Sequence, residues 1–397
     1  MTDSPADGTP VPSLPATPPP PTPPPPTPAP PAPSAAAPRA KRPRSAATRW
    51  VRRVLAWFGV LVLLSVVAFT VFFFWASGGD AYSETPEPAP ILLNAAGSEP
   101  APIPAGSPFE LGVVTFNIGY GRGPAGDESG PWSYETFRSN LVAIADQIEA
   151  AGADLAFLQE VDFASSRSHD IDQARQLLEL LGWRHAACAV TWEKNYVPFP
   201  YWPPSRHYGA MKSGQCILSR YPITEATRVG LPRPDSMPWW RKRFYLQRAV
   251  LHAVVKVGDV ALDVFDVHLE AFDNPNRMDH ARRLAVMVDA VKGDRVLVAG
   301  DFNALPPQAR QKSGFVDEPE MNFEHDETIA IARSIARVAE VLPDEDAFTF
   351  PADGATRRLD YIFHRPGLTK LSARVLTAPP GPWSDHLPVA ARFRVTP

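Results

Sequence analysis

The chain is poor in cysteine: Cys188 and Cys216 are its only two, so at most one disulfide is available. Both sit in apolar, strand-like stretches, which suits either a single bridge in an oxidising exterior or two buried thiols. Charge is absent from residues 54–76, a run of 23 residues, VLAWFGVLVLLSVVAFTVFFFWA. Lys and Arg are absent between Trp75 and Arg122. The first 38 residues lack apolar mass and amide donors, because they hold 17 of the 47 prolines. That composition excludes a packed core and predicts an extended, disordered tail over 1–53. A positive balance is also missing. Setting aside the seven basic and two acidic residues of 1–53 from the chain's 39 Lys/Arg and 43 Asp/Glu leaves a net charge of −9. Such a chain does not attract phosphate backbones nonspecifically.

At about 1.5 Å per residue the uncharged run would reach roughly 34 Å, enough to cross a bilayer core of about 30 Å. It is too long, and too far from the start, for the apolar part of a secretory signal, so it reads as an uncleaved anchor. Seven basic residues precede it, Arg39, Lys41, Arg42, Arg44, Arg49, Arg52 and Arg53. With none close behind, the positive-inside rule puts the N-terminus in the cytoplasm and the rest of the chain outside. Residues 77–108, rich in Pro, Gly, Ala and Glu, read as a linker, and 109–397 as a soluble domain.

From residue 109 the pattern mixes strands, hairpins and helices, without an internal repeat. Strands are expected over 110–117, 154–161, 184–190, 213–219, 295–301, 359–363, 370–377 and 389–395. Helices are expected over 134–150, 172–182, 277–291 and 328–341. Residues 246–268 read as a hairpin turning at Gly258-Asp259. The mixture is an α/β chain that two packed sheets with helices outside would accommodate.

Several apolar runs end on polar residues drawn from a short menu. TFNIGYG (115–121) ends a strand with Asn117, AFLQEVD (156–162) with Glu160, and FDVHLEAF (265–272) with His268. VLVAGDFNALP (296–306) ends one with Asp301 and Asn303, whose two-residue spacing turns both to one side. RLDYIFH (358–364) opens a strand with Asp360, and PWSDHLPVAARF (382–393) places Asp385 and His386 before the last strand. One such ending is ordinary; six suggest strand ends that converge on one polar basin.

Together, GDFN, LQEV and SDHLP at these spacings resemble the endonuclease/exonuclease/phosphatase superfamily, in particular its deoxyribonuclease-like and neutral sphingomyelinase-like branches. The resemblance runs from about 110 to 395. It implies a four-layered α/β sandwich and metal-dependent hydrolysis of a phosphodiester. It also implies Mg²⁺, or Mn²⁺, held by Glu160 with help from Asn117 and Asp385. Asp301 would orient the attacking water, Asn303 would hold a phosphate oxygen, and His386 would stand beside the phosphate with Asp360 fixing its tautomer. His268 corresponds to a second catalytic histidine. Arg248 is either a phosphate contact or a strand-surface arginine.

The substrate stays open between a nucleic acid and a phospholipid head group. Two aromatic, proline-rich stretches, NYVPFPYWPPSRHYG (195–209) and MPWWRKRFY (237–245), suit either, as stacking platforms or as interfacial residues. A non-catalytic anchored binding module is disfavoured, because each of these polar positions carries the residue type that the chemistry needs. Nothing in the sequence marks an obligate protein partner.

Overall fold

In the computed structural model the described residues are 22, 46–79, 83–94, 96–124, 132–343, 346–377 and 383–397. The expected proline-rich tail lies almost wholly outside them, as do Arg39, Lys41, Arg42 and Arg44. The chain divides into two units, Met1–Leu64 and Ser65–Pro397. The described part of the first is essentially the start of helix α1 (Ala46–Ala76), which begins eight residues before the uncharged run and takes in Arg49, Arg52 and Arg53. It is long and apolar enough to cross a membrane, with a mean hydropathy of 2.6 over its most apolar stretch.

The second unit is a sandwich of two seven-stranded mixed sheets. Its elements are β1 (Glu87–Pro88), β2 (Ile91–Leu93), β3 (Phe109–Asn117), α2 (Tyr134–Ala150), β4 (Leu155–Asp162), α3 (Gln173–Leu181), β5 (His185–Val197), β6 (Gly209–Ser219) and β7 (Ile223–Gly230). They continue with α4 (Trp239–Lys242), β8 (Ala249–Val257), β9 (Val260–His268), α5 (Asn274–Ala290), β10 (Val296–Asp301), α6 (Thr328–Arg333), β11 (Ala339–Glu340), β12 (Asp360–His364), β13 (Leu368–Val375) and β14 (Val389–Val395). One sheet runs β1-β7-β8-β9-β10-β12-β11 and the other β13-β14-β3-β4-β6-β5-β2.

Each sheet has one parallel pair, β3 with β4 and β9 with β10, and the crossover in each case is a helix, α2 or α5. Parallel neighbours need such a crossover, and it covers the outer face of the sheet. The helix starts are capped by side chains: Ser133 accepts from the Thr136 amide, Asp172 from Arg175 and Asp273 from Asn276. Gly182, in the left-handed conformation, closes α3.

The burial of β10 explains its unbroken apolar run. Leu297 and Ala299 face the layer between the sheets with Val113, Phe157, Val264 and Ile362, while Val296 and Val298 pack outward with Leu284 and Val288 of α5. The same division holds on β3, with Leu111 and Val113 inward and Val114 and Phe116 against α2. Burying each such side chain on folding contributes about 1.5–3 kcal/mol. Helix, sheet, sheet, helix is the four-layered sandwich expected.

Four local expectations are corrected. The helix expected over 328–341 stops at Arg333; Arg337 is left-handed (φ 64°) and Ala339–Glu340 pair with β12 instead. Residues 77–108, read as a linker, supply β1 and β2, which extend the two sheet edges by pairing with β7 and β5. Strand β5 continues to Val197, so the first aromatic stretch is the tip of the β5–β6 hairpin. Strand β7 was not expected. Of the two alternatives left open for the cysteines, the structure has the disulfide: Cys188 and Cys216 are direct cross-strand partners, with Cα atoms 4.2 Å apart.

Candidate active site

The polar strand ends meet on one rim of the sandwich. Asp301, the last residue of β10, has His268 of β9 as its parallel neighbour on one side and Asp360 of β12 as its antiparallel neighbour on the other. The opposite sheet brings Asn117 from the end of β3 and Glu160 from β4. The turn before β14 delivers Asp385 and His386. All of these except Asp360 line one cavity of about 500 Å³, together with Arg248 and Asn303. Asp360 is fully buried behind His386.

Backbone details aim these groups. Gly300 has φ of 147°, and a Cβ there would meet the Val267 carbonyl oxygen at 1.9 Å, so only glycine lets β10 and β9 close up before Asp301. Glu160 adopts a left-handed φ of 54° at an irregularity in the β4–β6 pairing. Such a bulge re-aims one side chain, and holding a non-glycine residue there costs on the order of 1–3 kcal/mol. Asn303 is also left-handed (φ 50°); its amide donates to Asp301 Oδ1 at 2.8 Å and its carboxamide to the Leu269 carbonyl at 3.1 Å.

At the centre, His386 Nδ1 lies 2.8 Å from Asp360 Oδ2. Its other ring nitrogen is 3.7 Å from Asp301 Oδ2, which also accepts a 3.0 Å hydrogen bond from Asn117 Nδ2. His268 Nε2 is 3.5 Å from the same oxygen and 3.9 Å from Glu160 Oε1. Asn117 is fixed in turn by the Gly119 amide, which donates to its Oδ1 at 3.1 Å. Ser384 donates to the Asn117 carbonyl at 2.7 Å, tying the β3 end to the loop that carries Asp385 and His386.

These surroundings shift the titrations. Burial raises the Asp301 carboxyl to about 7, against the pull of His386. Burial alone would lower His386, but the Asp360 and Asp301 charges and the Asp360 hydrogen bond outweigh it, so the imidazolium is held well above its usual range. His268 moves the other way, well below, through burial and the nearby Arg248 charge. Burial raises Glu160, and repulsion from Asp385 raises it further, with Arg122, His386 and Arg248 opposing.

Two donor sets suit a metal. Asp301, Asp360 and His386 offer ligand atoms within 4.8 Å of one another. In that set the His386 and Asp360 atoms are already joined in their own hydrogen bond. Glu160 is instead a half-buried carboxylate raised in part by the nearby charge of Asp385, a repulsion that a hard dication between the two would relieve. Asn117 lines the same cavity, and its Oδ1 accepts one bond from the Gly119 amide and keeps a second lone pair.

Sequence reasoning overlooked one side of the cavity. Arg122, just past the TFNIGYG motif, reaches to 4.0 Å from Glu160 Oε2 and packs over Tyr120 and Trp132. Arg167 is clamped by Asp162 and stacks 3.6 Å from the Tyr120 ring centre. Neither belongs to a recognisable short motif; only their burial in the fold singles them out. Arg248 is not on the strand surface. It is buried at the cavity wall, and its Nε and Nη1 find no hydrogen-bond partner among the described residues.

Residues 114–386 match the model of the Endonuclease/Exonuclease/phosphatase family. Among solved structures, an endonuclease/exonuclease/phosphatase from Beutenbergia cavernae is 24% identical, with 72% of each chain covered and a TM-score of 0.51. A family protein from Bacteroides thetaiotaomicron is 15% identical, over 73% of this chain and 100% of that one, with a TM-score of 0.50. One from Bacteroides vulgatus is 16% identical, over 72% and 99%, with a TM-score of 0.50. At these identities the likeness is one of fold. No curated protein is similar enough in sequence to count as a match.

Proposed function

Because the chain belongs to the endonuclease/exonuclease/phosphatase family of phosphoric ester hydrolases, we propose that it is a membrane-anchored, extracytoplasmic, Mg²⁺-dependent phosphodiesterase. The observation that carries the reading is the linked set Asp360–His386–Asn117–Asp301, with hydrogen bonds of 2.8 and 3.0 Å at its two ends. Glu160, Asp385 and Asn117 would hold the cation, which when bound neutralises charge developing on the phosphoryl group.

The remaining steps fall to the chain's own groups. Asp301, with a carboxyl near neutrality, accepts a proton from the attacking water, and Asn117 and His268 fix the oxygen that receives it. His386, kept as the imidazolium by Asp360, faces the phosphate and stabilises its charge. The unpaired Arg248 nitrogens supply further donors to phosphate oxygens, a burial that is costly unless an anion satisfies them. Hydrolysis then joins the water oxygen to phosphorus and breaks the bond to the departing oxygen, which takes up a proton from solvent, while Asp301 returns to solvent the one it accepted.

Two features support the location. The Cys188–Cys216 disulfide fits an oxidising compartment. The basic side of α1 lies before its apolar run, as expected for a cytoplasmic N-terminus. The test is release of p-nitrophenol from bis-p-nitrophenyl phosphate by detergent-solubilised full-length protein, with Mg²⁺ or Mn²⁺ and with chelator. Metal-dependent turnover is expected. A protein that binds phosphodiesters without turning them over is the binding module instead.

A further inference from the structure

The aromatic stretches do more than cover a sheet edge. The end of α1, from Phe72 on, packs against the segments that help form the wall of the catalytic cavity; all the contacts below lie within the unit Ser65–Pro397. Phe73 meets the rings of Phe244 and Trp239 edge-on, at 5.3 and 5.7 Å. Phe72 meets Tyr196 at 5.8 Å. Asn195 donates its side-chain amide to the Trp75 carbonyl at 2.8 Å and its backbone amide to Gly78 at 3.0 Å. Arg243 donates to Ser77 Oγ at 3.1 Å and lies over the Phe74 ring. Phe244 in turn lines the cavity. The catalytic wall is therefore fastened directly to the end of the apolar helix, without a free tether between them.

The two segments that make this junction, 195–209 and 237–245, also expose aromatics that a water-facing surface does not need: Trp202 is 80% exposed, Tyr201 77%, Trp239 65% and Trp240 48%. Arg241 and Lys242 sit among them in sequence. Trp and Tyr flanked by basic residues favour the membrane–water boundary, where an apolar ring and a polar edge are both satisfied. An apolar helix in a bilayer puts its end at that boundary, and whatever packs on the helix end lies within about a helix diameter of it, roughly 10 Å.

We infer that this aromatic rim docks on the bilayer that holds α1, and that the cavity opening beside it takes the phosphodiester head group of a membrane lipid. The inference rests on the hydrolase reading above and names its substrate class. The cavity fits that class. Phe199, Tyr201, Phe272 and Phe323 offer apolar walls for the glycerol or sphingoid end, while Arg248 waits deeper for the phosphate. A polyanionic nucleic acid would have to approach a domain of net negative charge.

The experiment uses the full chain in vesicles of phosphatidylcholine, phosphatidylglycerol and sphingomyelin. Single-stranded DNA and RNA are offered at equal phosphate concentration, and bis-p-nitrophenyl phosphate serves as the soluble reference. At least one lipid should be cleaved ten times faster than either nucleic acid. The double variant Trp202→Ser/Trp240→Ser, outside the cavity lining, should cut lipid turnover at least tenfold and leave the soluble reaction unchanged. Faster cleavage of DNA or RNA, or lipid turnover untouched by the variant, overturns the inference. If the soluble ester is not cleaved at all, the hydrolase reading has failed, and docking is then read separately. An environment-sensitive dye on Trp202→Cys or Trp240→Cys should shift to the blue on reconstitution, and one on the fully exposed Val316→Cys should not. Equal emission at all three sites overturns the docking.

Discussion

Asp360 Oδ2 stands 2.8 Å from His386 Nδ1, although the two residues are 26 positions apart and reach the rim from different sheets. A pair like this acts as one unit: the carboxylate sets the tautomer and charge of the ring, and the ring's other nitrogen faces the reaction. Either single substitution, Asp360→Ala or His386→Ala, is expected to lower kcat by about 10²–10⁴. The double variant should lose little more. Additive losses in that cycle would show that the two work independently.

Glu160 and Asp301 should separate in their response to metal. Glu160→Ala is expected to raise the Mg²⁺ concentration needed for half-maximal rate, with partial recovery at high Mg²⁺. Asp301→Ala should remain slow however much Mg²⁺ is added, because the missing function is proton acceptance. A metal titration of both variants decides the matter, and rescue of Asp301→Ala alone would reverse the two roles.

The pH profile follows from the same carboxyl. Asp301 must be ionised to accept a proton, and burial raises it to about 7. Activity is therefore expected to rise with pH up to a midpoint no higher than about 7, lying lower when a nearby cation favours the carboxylate. His386 is held as the imidazolium well above its usual range, so loss of its proton does not limit the rate near neutrality. Asp301→Asn should abolish the acid limb along with most of the rate. An unchanged limb in that variant would assign it to another group.

The disulfide closes a loop between positions 28 apart. Chain-entropy reasoning gives about 3–4 kcal/mol of stabilisation for a loop of that length. Reduction, or Cys188→Ser, should lower the denaturant midpoint accordingly. Thiol labelling of the unfolded protein from unreduced cells should find no free cysteine. Free thiols there would place the domain in a reducing compartment and count against the proposed topology.

Most of the central strands were legible because their apolar runs are buried on both faces and end abruptly. Val296 to Ala299 followed by Gly300-Asp301 is the clearest case. The set of polar strand ends was legible for the same reason, each being a departure from an apolar pattern. What escaped depends on partners distant in sequence. Glu87–Pro88 and Ile91–Leu93 have almost no strand signal of their own and exist as edges offered by β7 and β5. The stretch through and beyond Arg333 keeps a helical spacing in Ile331, Ile335 and Val338, yet the free edge of β12 captures Ala339–Glu340 as a strand. Arg122 and Arg167 look like surface charges until the fold buries them against Tyr120.

The last strand, β14, pairs with β3, the first central strand of its sheet, and the turn leading into it carries Asp385 and His386. Asp360 meets its histidine only once β14 has closed the sheet against β3. Closing that sheet and joining Asp360 to His386 are thus one event, so whatever displaces β14 from β3 also parts the pair.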